Sequence, residues 1–306
     1  MIPPVQLTKN ITLLGTEFFS LYLVKGETYA IIEGGVSGIT YPFLNQLTQL
    51  EVPLDSISYL VILHSHFDHM MVFPTLLEKC PWMKIVSSEQ NRKTFSNGRI
   101  LSKIFDSDRR VSLALMEKGL VTEIPNLNSP ASFPLDIPVH EGSVLDLGEG
   151  VNIRFIETPG HSPDCLSAYQ EEEKVLFCSD GAGFYIPPNF FRPNYWFRLE
   201  DAEKSLDRIK TIDPEILCRG HYGAIIGKET IRDNLQNGRR SVDAFKTFIL
   251  DRIQTGHSID AITREVTDEF SKGFLEFFSD EENYKLWGLL IRRTLEHFGI
   301  EIEKTE

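Results

Sequence analysis

The sequence predicts an α/β protein built in layers, with a helical region appended at the C-terminal side. Three observations carry this. A short apolar run, Ile57-Ser58-Tyr59-Leu60-Val61-Ile62-Leu63, ends in His64-Ser65-His66-Phe67-Asp68-His69. Strand-like runs lie on both sides of it, with helical segments between them, in an order that suggests two similar halves without a visible repeat. After Gly227 the periodicity becomes helical.

Taken in order, Ile11–Gly15, Phe18–Val24 and Tyr29–Glu33 alternate with turn residues and read as three antiparallel strands, with Lys25-Gly26-Glu27-Thr28 as a hairpin loop. Gly34-Gly35 ends them, and Tyr41–Gln49 reads as a helix with Phe43, Leu44 and Leu47 on its inner face. Ile57–Leu63 is nearly continuous in apolar character, as suits a strand covered on both faces. Helix is expected over Met71–Lys79, strand over Lys84–Ser87, and helix over Glu89–Lys118, with Gly119 as its C-terminal stop. Asn126–Pro138 reads as an irregular loop. Strands resume at Val144–Leu147, Val151–Ile156 and Lys174–Cys178. Beyond Gly227, Lys228–Gln254 is helical with a break expected near Asn237-Gly238. Ser258 caps a helix over Ile259–Phe270, and Ser279-Asp280-Glu281-Glu282 is a capping box opening a helix to about His297. The aromatic segment Gly273–Phe278 interrupts these helices and suits a lid or pocket wall.

Composition bounds the function. The 306 residues are 42% hydrophobic, 11% aromatic and 25% charged, ordinary values for a folded chain with an ample core. A net charge of -13 argues against a nucleic-acid surface, which needs basic residues to meet phosphates. Cys80, Cys165, Cys178 and Cys218 form no C-x-x-C and read as reduced thiols; Cys178, two residues before Asp180, is read as a packing thiol. No secretory leader is visible and no apolar run approaches the roughly 20 residues needed to span a bilayer, so a soluble, cytoplasmic protein without membrane contact is expected.

The chemistry is concentrated in the histidines. Of 8 in the chain, three fall within His64–His69 beside Asp68. His64 and His66, two apart in extended backbone, point the same way and can chelate one ion; Asp68 and His69 follow where the chain turns, aimed at a neighbouring position. Three later strand ends deliver one ligand each, flanked by glycine: His161 in Thr158-Pro159-Gly160-His161-Ser162, Asp180 in Ser179-Asp180-Gly181, and His221 in Gly220-His221-Tyr222-Gly223. Glycine is expected there so that backbone can pass close to an ion. His140, His257 and His297 have no such context and read as structural.

His64-x-His66-x-Asp68-His69, Pro159-Gly160-His161-Ser162, Asp180-Gly181 and Gly220-His221 together resemble the metallo-β-lactamase-fold hydrolases over Ile11–Ile226. The resemblance implies an αβ/βα sandwich, with residues 1–227 as the catalytic domain and 228–306 as a helical extension packing on or capping the site. It assigns His64, His66 and His161 to one metal, Asp68, His69 and His221 to a second, and Asp180 as their bridge, with Asp68 and Asp180 as the catalytic carboxylates. Two divalent transition-metal ions are implied, iron or zinc or else manganese, since imidazole and carboxylate donors do not choose among them. Ile31–Ser37, Val86–Glu89, Leu176–Asp180 and the helical extension resemble more closely the quinolone-signal response thioesterases, which act on 2-aminobenzoylacetyl-CoA.

The expected activity is hydrolysis of an ester or acyl-CoA-like thioester by a hydroxide shared between two cations. Phe184, Tyr185, Phe190, Phe191, Tyr195 and Trp196 follow the bridging carboxylate and are candidates for an apolar acyl pocket, with Phe274 and Phe278 from the tail; Phe184, Tyr185, Phe274 and Phe278 are the substrate-binding candidates. Alternatives are a lactone or small-phosphodiester hydrolase, and a metal-containing effector acting through a protein partner or homodimer contact on the helical tail. Redox relatives with di-iron sites commonly place a carboxylate where this chain has His66 and add a flavin module; neither is seen in these residues.

Overall fold

The computed structural model describes residues 2–300. The first half forms a seven-stranded sheet in sequential order: β1 (Val5–Gln6), β2 (Ile11–Gly15), β3 (Ser20–Lys25), β4 (Tyr29–Ile32), β5 (Ile57–Ile62), β6 (Lys84–Ser88) and β7 (Ile137–Val139). β1 to β4 pair antiparallel, whereas β4 to β7 run parallel through helical crossovers. The crossovers contain α1 (Thr40–Gln49), α2 (Phe73–Lys79), α3 (Arg92–Phe95) and α4 (Gly98–Glu117). The second half supplies β8 (Val144–Asp146), β9 (Asn152–Glu157), β10 (Leu166–Gln170), β11 (Val175–Ser179), a separate hairpin of β12 (Phe184–Ile186) and β13 (Phe190–Arg192), α5 (Leu199–Ile212), β14 (Ile216–Arg219) and β15 (Ala224–Ile226). Its six-stranded sheet has the order β15-β14-β11-β10-β9-β8.

Strand parity builds the layers. Along β3 and β5, Tyr22, Val24, Val61 and Leu63 join Phe155, Ala168, Phe177 and Cys218 in an apolar cluster between the sheets. Their neighbours Leu21, Leu23, Leu60 and Ile62 point the other way, into a cluster with Phe43, Phe73 and Leu101 of the helices. On the far side, Ile156, Leu176 and Leu217 pack against Leu206 and Ile209 of α5. Both sheets are therefore covered on two faces, giving the helix–sheet–sheet–helix order expected of the sandwich.

The remaining chain forms α6 (Lys228–Gln254), α7 (Ile259–Phe270) and α8 (Asp280–His297). The Ser258 and Ser279 caps are present, the second as a complete capping box with Glu282. Val242, Phe245, Ile262, Trp287 and Leu290 of these helices share the cluster that covers the outer face of the first sheet. The break expected at Asn237-Gly238 is absent: α6 is continuous over 27 residues. A helical glycine costs about 1 kcal/mol relative to alanine, less than the roughly 1.5–3 kcal/mol gained by burying each large apolar side chain such as Leu235 or Val242 on either side of it.

Other departures from the sequence reading have local causes. The long helix over Glu89–Lys118 is divided at Ser96-Asn97, where Asn97 caps α4 by accepting from the Arg99 and Ile100 amides. The irregular loop ends in a strand, β7, whose Pro138 is tolerated because β7 is the edge of its sheet. Leu44 is only half-buried, since Phe43, Gln46 and Leu47 form the inner face of α1.

Candidate metal centre and its cavity

Four strand ends from the two sheets meet at one rim. β5 runs out into His64, His66, Asp68 and His69; β9 leads to His161, β11 to Asp180 and β14 to His221. Six of these seven side chains are buried and His66 is half-buried. Among the described residues, three groups bring their ligand atoms within 4.8 Å of one another: His64, His66 and His161; His64, His69 and Asp180; and Asp68, His69 and His221. The first and third are the two triads expected from sequence. Asp180 lies between them, with Oδ2 3.6 Å from His161 Nε2 and 3.8 Å from His69 Nε2, and Oδ1 3.7 Å from His221 Nε2.

The imidazoles are oriented from outside. His161 Nδ1 donates to the Asn194 carbonyl at 3.1 Å and His221 Nδ1 to the Phe18 carbonyl at 2.8 Å. His64 Nδ1 meets Ser179 Oγ at 3.1 Å, and His69 Nδ1 meets Glu33 Oε2 at 2.5 Å. With Nδ1 engaged, each ring turns Nε2 inward, and His64, His69 and His221 Nε2 are buried without a partner. His66 instead turns Nδ1 to within 2.9 Å of His161 Nε2. Buried, unpartnered imidazole nitrogens facing two carboxylates are what a divalent cation site requires, and outer contacts of this kind fix ring orientation in such sites. The donor set fits the ions.

Charge states agree. Burial raises the Asp68 carboxyl, but His69 and His221 outweigh it and hold the group well below the usual carboxylate range. Asp180 is lowered likewise by His221, His69 and His161 against burial. Burial, reinforced by neighbouring imidazoles, pushes His64 down and brings His161 to about 4, so both are neutral and able to ligate at pH 7. His69 is the exception: burial lowers it, yet Glu33, Asp68 and Asp180 together raise it to about 10.

The backbone around the site is strained where it must place these groups. Glu33, Ser179 and Tyr222 have φ of 70°, 48° and 59°, a left-handed conformation that costs a non-glycine residue about 1 kcal/mol or more. Each adjoins or contacts a candidate ligand. Two of the flanking glycines make room for protein groups instead of an ion. A Cβ on Gly220 would lie 2.4 Å from His69 Cε1, and one on Gly160 2.3 Å from the Ala202 backbone of α5, so they admit a neighbouring ring and a neighbouring helix.

Over the ligands opens a cavity of about 230 Å³, bounded by His66, Asp68, His161 and Asp180 on one side. Phe184, Trp196, Phe274 and Phe278 form apolar walls, and Leu286 and Leu289 of α8 complete them. Three of the four aromatic substrate-binding candidates therefore line it. Tyr185 does not: one residue past Phe184 on β12, it faces the other side of the hairpin, stacking on Phe191 at 4.7 Å and lying 4.8 Å from the Arg219 guanidinium. Tyr195 is buried with its hydroxyl 2.9 Å from Thr294 Oγ1. Cys178 is a packing thiol, its Sγ donating to the Cys218 carbonyl at 3.3 Å.

Three residues of the site carry no sequence signal strong enough to single them out: Glu33, Arg192 and Asn194. Asn194 donates from Nδ2 to Asp180 Oδ2 at 3.2 Å and accepts from Trp196 Nε1 at 2.8 Å. The available signal for Glu33 is its position at the end of β4, which pairs parallel with the histidine-bearing β5 and so reaches the same rim.

A family model described as the metallo-beta-lactamase superfamily matches residues 19–221. A metallo-beta-lactamase fold-containing protein of Sulfurisphaera tokodaii is 26% identical over 220 residues, 69% of this chain and 76% of that one. An anaerobic nitric oxide reductase flavorubredoxin of Aliivibrio fischeri is 26% identical over 177 residues, 55% of this chain. The chain spans 24% and 29% of the length of two flavoprotein relatives of this kind. Among solved structures, a metallo-beta-lactamase family protein from Thermus thermophilus superposes with a TM-score of 0.66 at 19% identity, over 96% of this chain and 95% of that one.

Proposed function

Because the chain belongs to the metallo-β-lactamase superfamily, we propose that it is a metal-dependent hydrolase of esters or thioesters, with an acyl-CoA-like thioester as the substrate class. The observation that carries this reading is the cavity itself, where candidate ligands on one wall face aromatic walls suited to an acyl group. His64, His66 and His161 would hold one divalent ion and Asp68, His69 and His221 a second, with Asp180 shared. Such ions, when bound, supply Lewis acidity and lower the pKa of water.

The chain's own residues do the rest. Phe184, Trp196, Phe274 and Phe278 orient the acyl chain and exclude bulk water, which strengthens every charge interaction in the cavity. Asn194 and Trp196 hold Asp180 in place through their hydrogen bonds. Asp68, ionised and on the cavity wall, faces His69 and His221 and would serve as a ligand, its depressed pKa making it a weak base. In the overall step the oxygen of water bonds to the acyl carbon, the carbon–sulfur bond breaks, and the thiol leaves with a proton. Phe274, Leu275, Phe278, Leu286 and Leu289 of the extension wall the cavity, which supports the capping role.

The resemblance to quinolone-signal response thioesterases supports the thioester choice, and the half-buried imidazole of His66, in place of a carboxylate, favours hydrolysis over the redox chemistry named for the flavorubredoxins. A panel of acyl thioesters, esters, lactones and small phosphodiesters tests the reading. Metal-loaded protein is expected to turn over thioesters best, and chelator-stripped protein to lose at least about 100-fold of that rate. Equal rates with and without metal, or no hydrolysis alongside reductant-driven consumption of nitric oxide, overturn it.

A further inference from the structure

Arg192 is the last residue of β13 and is 2% exposed, yet its guanidinium enters no ion pair among the described residues. It lies in the wall of the cavity that contains Asp68 and Asp180. Nη1 reaches the Phe270 carbonyl only at 3.5 Å, and Nε is buried with no partner. The flat face of the group rests on Phe184, 3.8 Å from the ring centre, leaving its edge to make the hydrogen bonds. Burial lowers its pKa to about 10, so it remains charged at neutral pH.

A buried cation without a counter-ion is costly, and stacking on an aromatic ring offsets only part of that cost. Asp68 and Asp180 do not serve as counter-ions once metal is bound, because a single divalent ion already balances both carboxylates. The charge of Arg192 is then unanswered in a wall whose other members are Asn194 and apolar side chains. A guanidinium fork with a free Nε edge matches a carboxylate, which accepts two parallel hydrogen bonds.

We infer that Arg192 determines specificity by binding a carboxylate at the far end of the acyl group, making the substrate a monothioester of a dicarboxylic acid. This rests on the hydrolase reading and names its substrate class.

The test uses metal-loaded protein and thioesters of one thiol with two to four methylenes in the acyl chain. Each ends either in a carboxylate or in its neutral isostere, an isopropyl group. The unaltered protein is expected to favour the carboxylate member of at least one pair by about 100-fold in kcat/KM. Arg192→Met brings that ratio to within about 3-fold of one, and Arg192→Lys leaves it in between. No preference in the unaltered protein, or a ratio that survives in Arg192→Met, overturns the inference. Calorimetric titration with the free dicarboxylic acids separates this from failure of the hydrolase reading, since it needs no turnover. Binding about 100-fold tighter to the unaltered protein than to Arg192→Met supports the carboxylate site even if no ester is cleaved. Equal binding, or none, counts against it.

Discussion

Replacing Asp180 with alanine is expected to lower kcat/KM for the best thioester by on the order of 10³-fold and to reduce the metal bound per chain. The size of the effect follows from position. Oδ2 faces His161 and His69 while Oδ1 faces His221, so one carboxylate addresses both triads. Asp180→Asn retains the shape and the hydrogen-bonding capacity toward Asn194 but not the charge. It is expected to bind metal more weakly than the unaltered protein while keeping its thermal stability in the presence of chelator. Metal analysis and steady-state kinetics on the same preparations check both parts. Activity in Asp180→Ala within about 10-fold of the unaltered protein would remove this carboxylate from the reaction.

Glu33→Gln carries the second large effect, although Glu33 reaches the site only through His69. Its carboxylate is the largest of the contributions raising the His69 pKa, and the 2.5 Å contact fixes the ring so that Nε2 faces inward. An amide in its place keeps the side-chain length but loses the charge, and where its oxygen faces His69 its hydrogens take the position of Oε1, which has no partner. Metal affinity is therefore expected to fall by about 10- to 100-fold, with the His69 pKa falling as well. Competition against a chelator of known affinity measures the first, and histidine NMR titration of zinc-free protein the second. Unchanged affinity would make the contact merely structural. Because the left-handed backbone at Glu33 is retained in Gln, loss of folding is not the expected reason for either change.

The rim that gathers the candidate ligands was legible from sequence because its strands are short and apolar, with polar residues only at their carboxyl ends. β5 shows this most plainly: Ile57–Leu63 announces a covered strand, and a period of two then puts His64 and His66 on one side. Less legible were the parts in which aromatic or proline-rich sequence hides a strand. Phe184–Ile186 and Phe190–Arg192 read as a pocket-lining loop but form a hairpin, and its alternation sends Phe184 into the cavity and Tyr185 away from it. That same register puts Arg192 opposite Phe184, a cross-strand relation invisible without the pairing. Glu33 and Asn194 act through other residues, and such contacts depend on the docking of separate strand ends rather than on any local pattern. The continuous α6 shows packing overriding propensity at Gly238.

If the side chains gathered at this rim hold divalent metal, elemental analysis of freshly isolated protein shows it. The expected result is about two iron, zinc or manganese ions per chain, removed by chelator and regained from solution. Protein isolated without transition metal, and unable to take it up from any of the three, would contradict it.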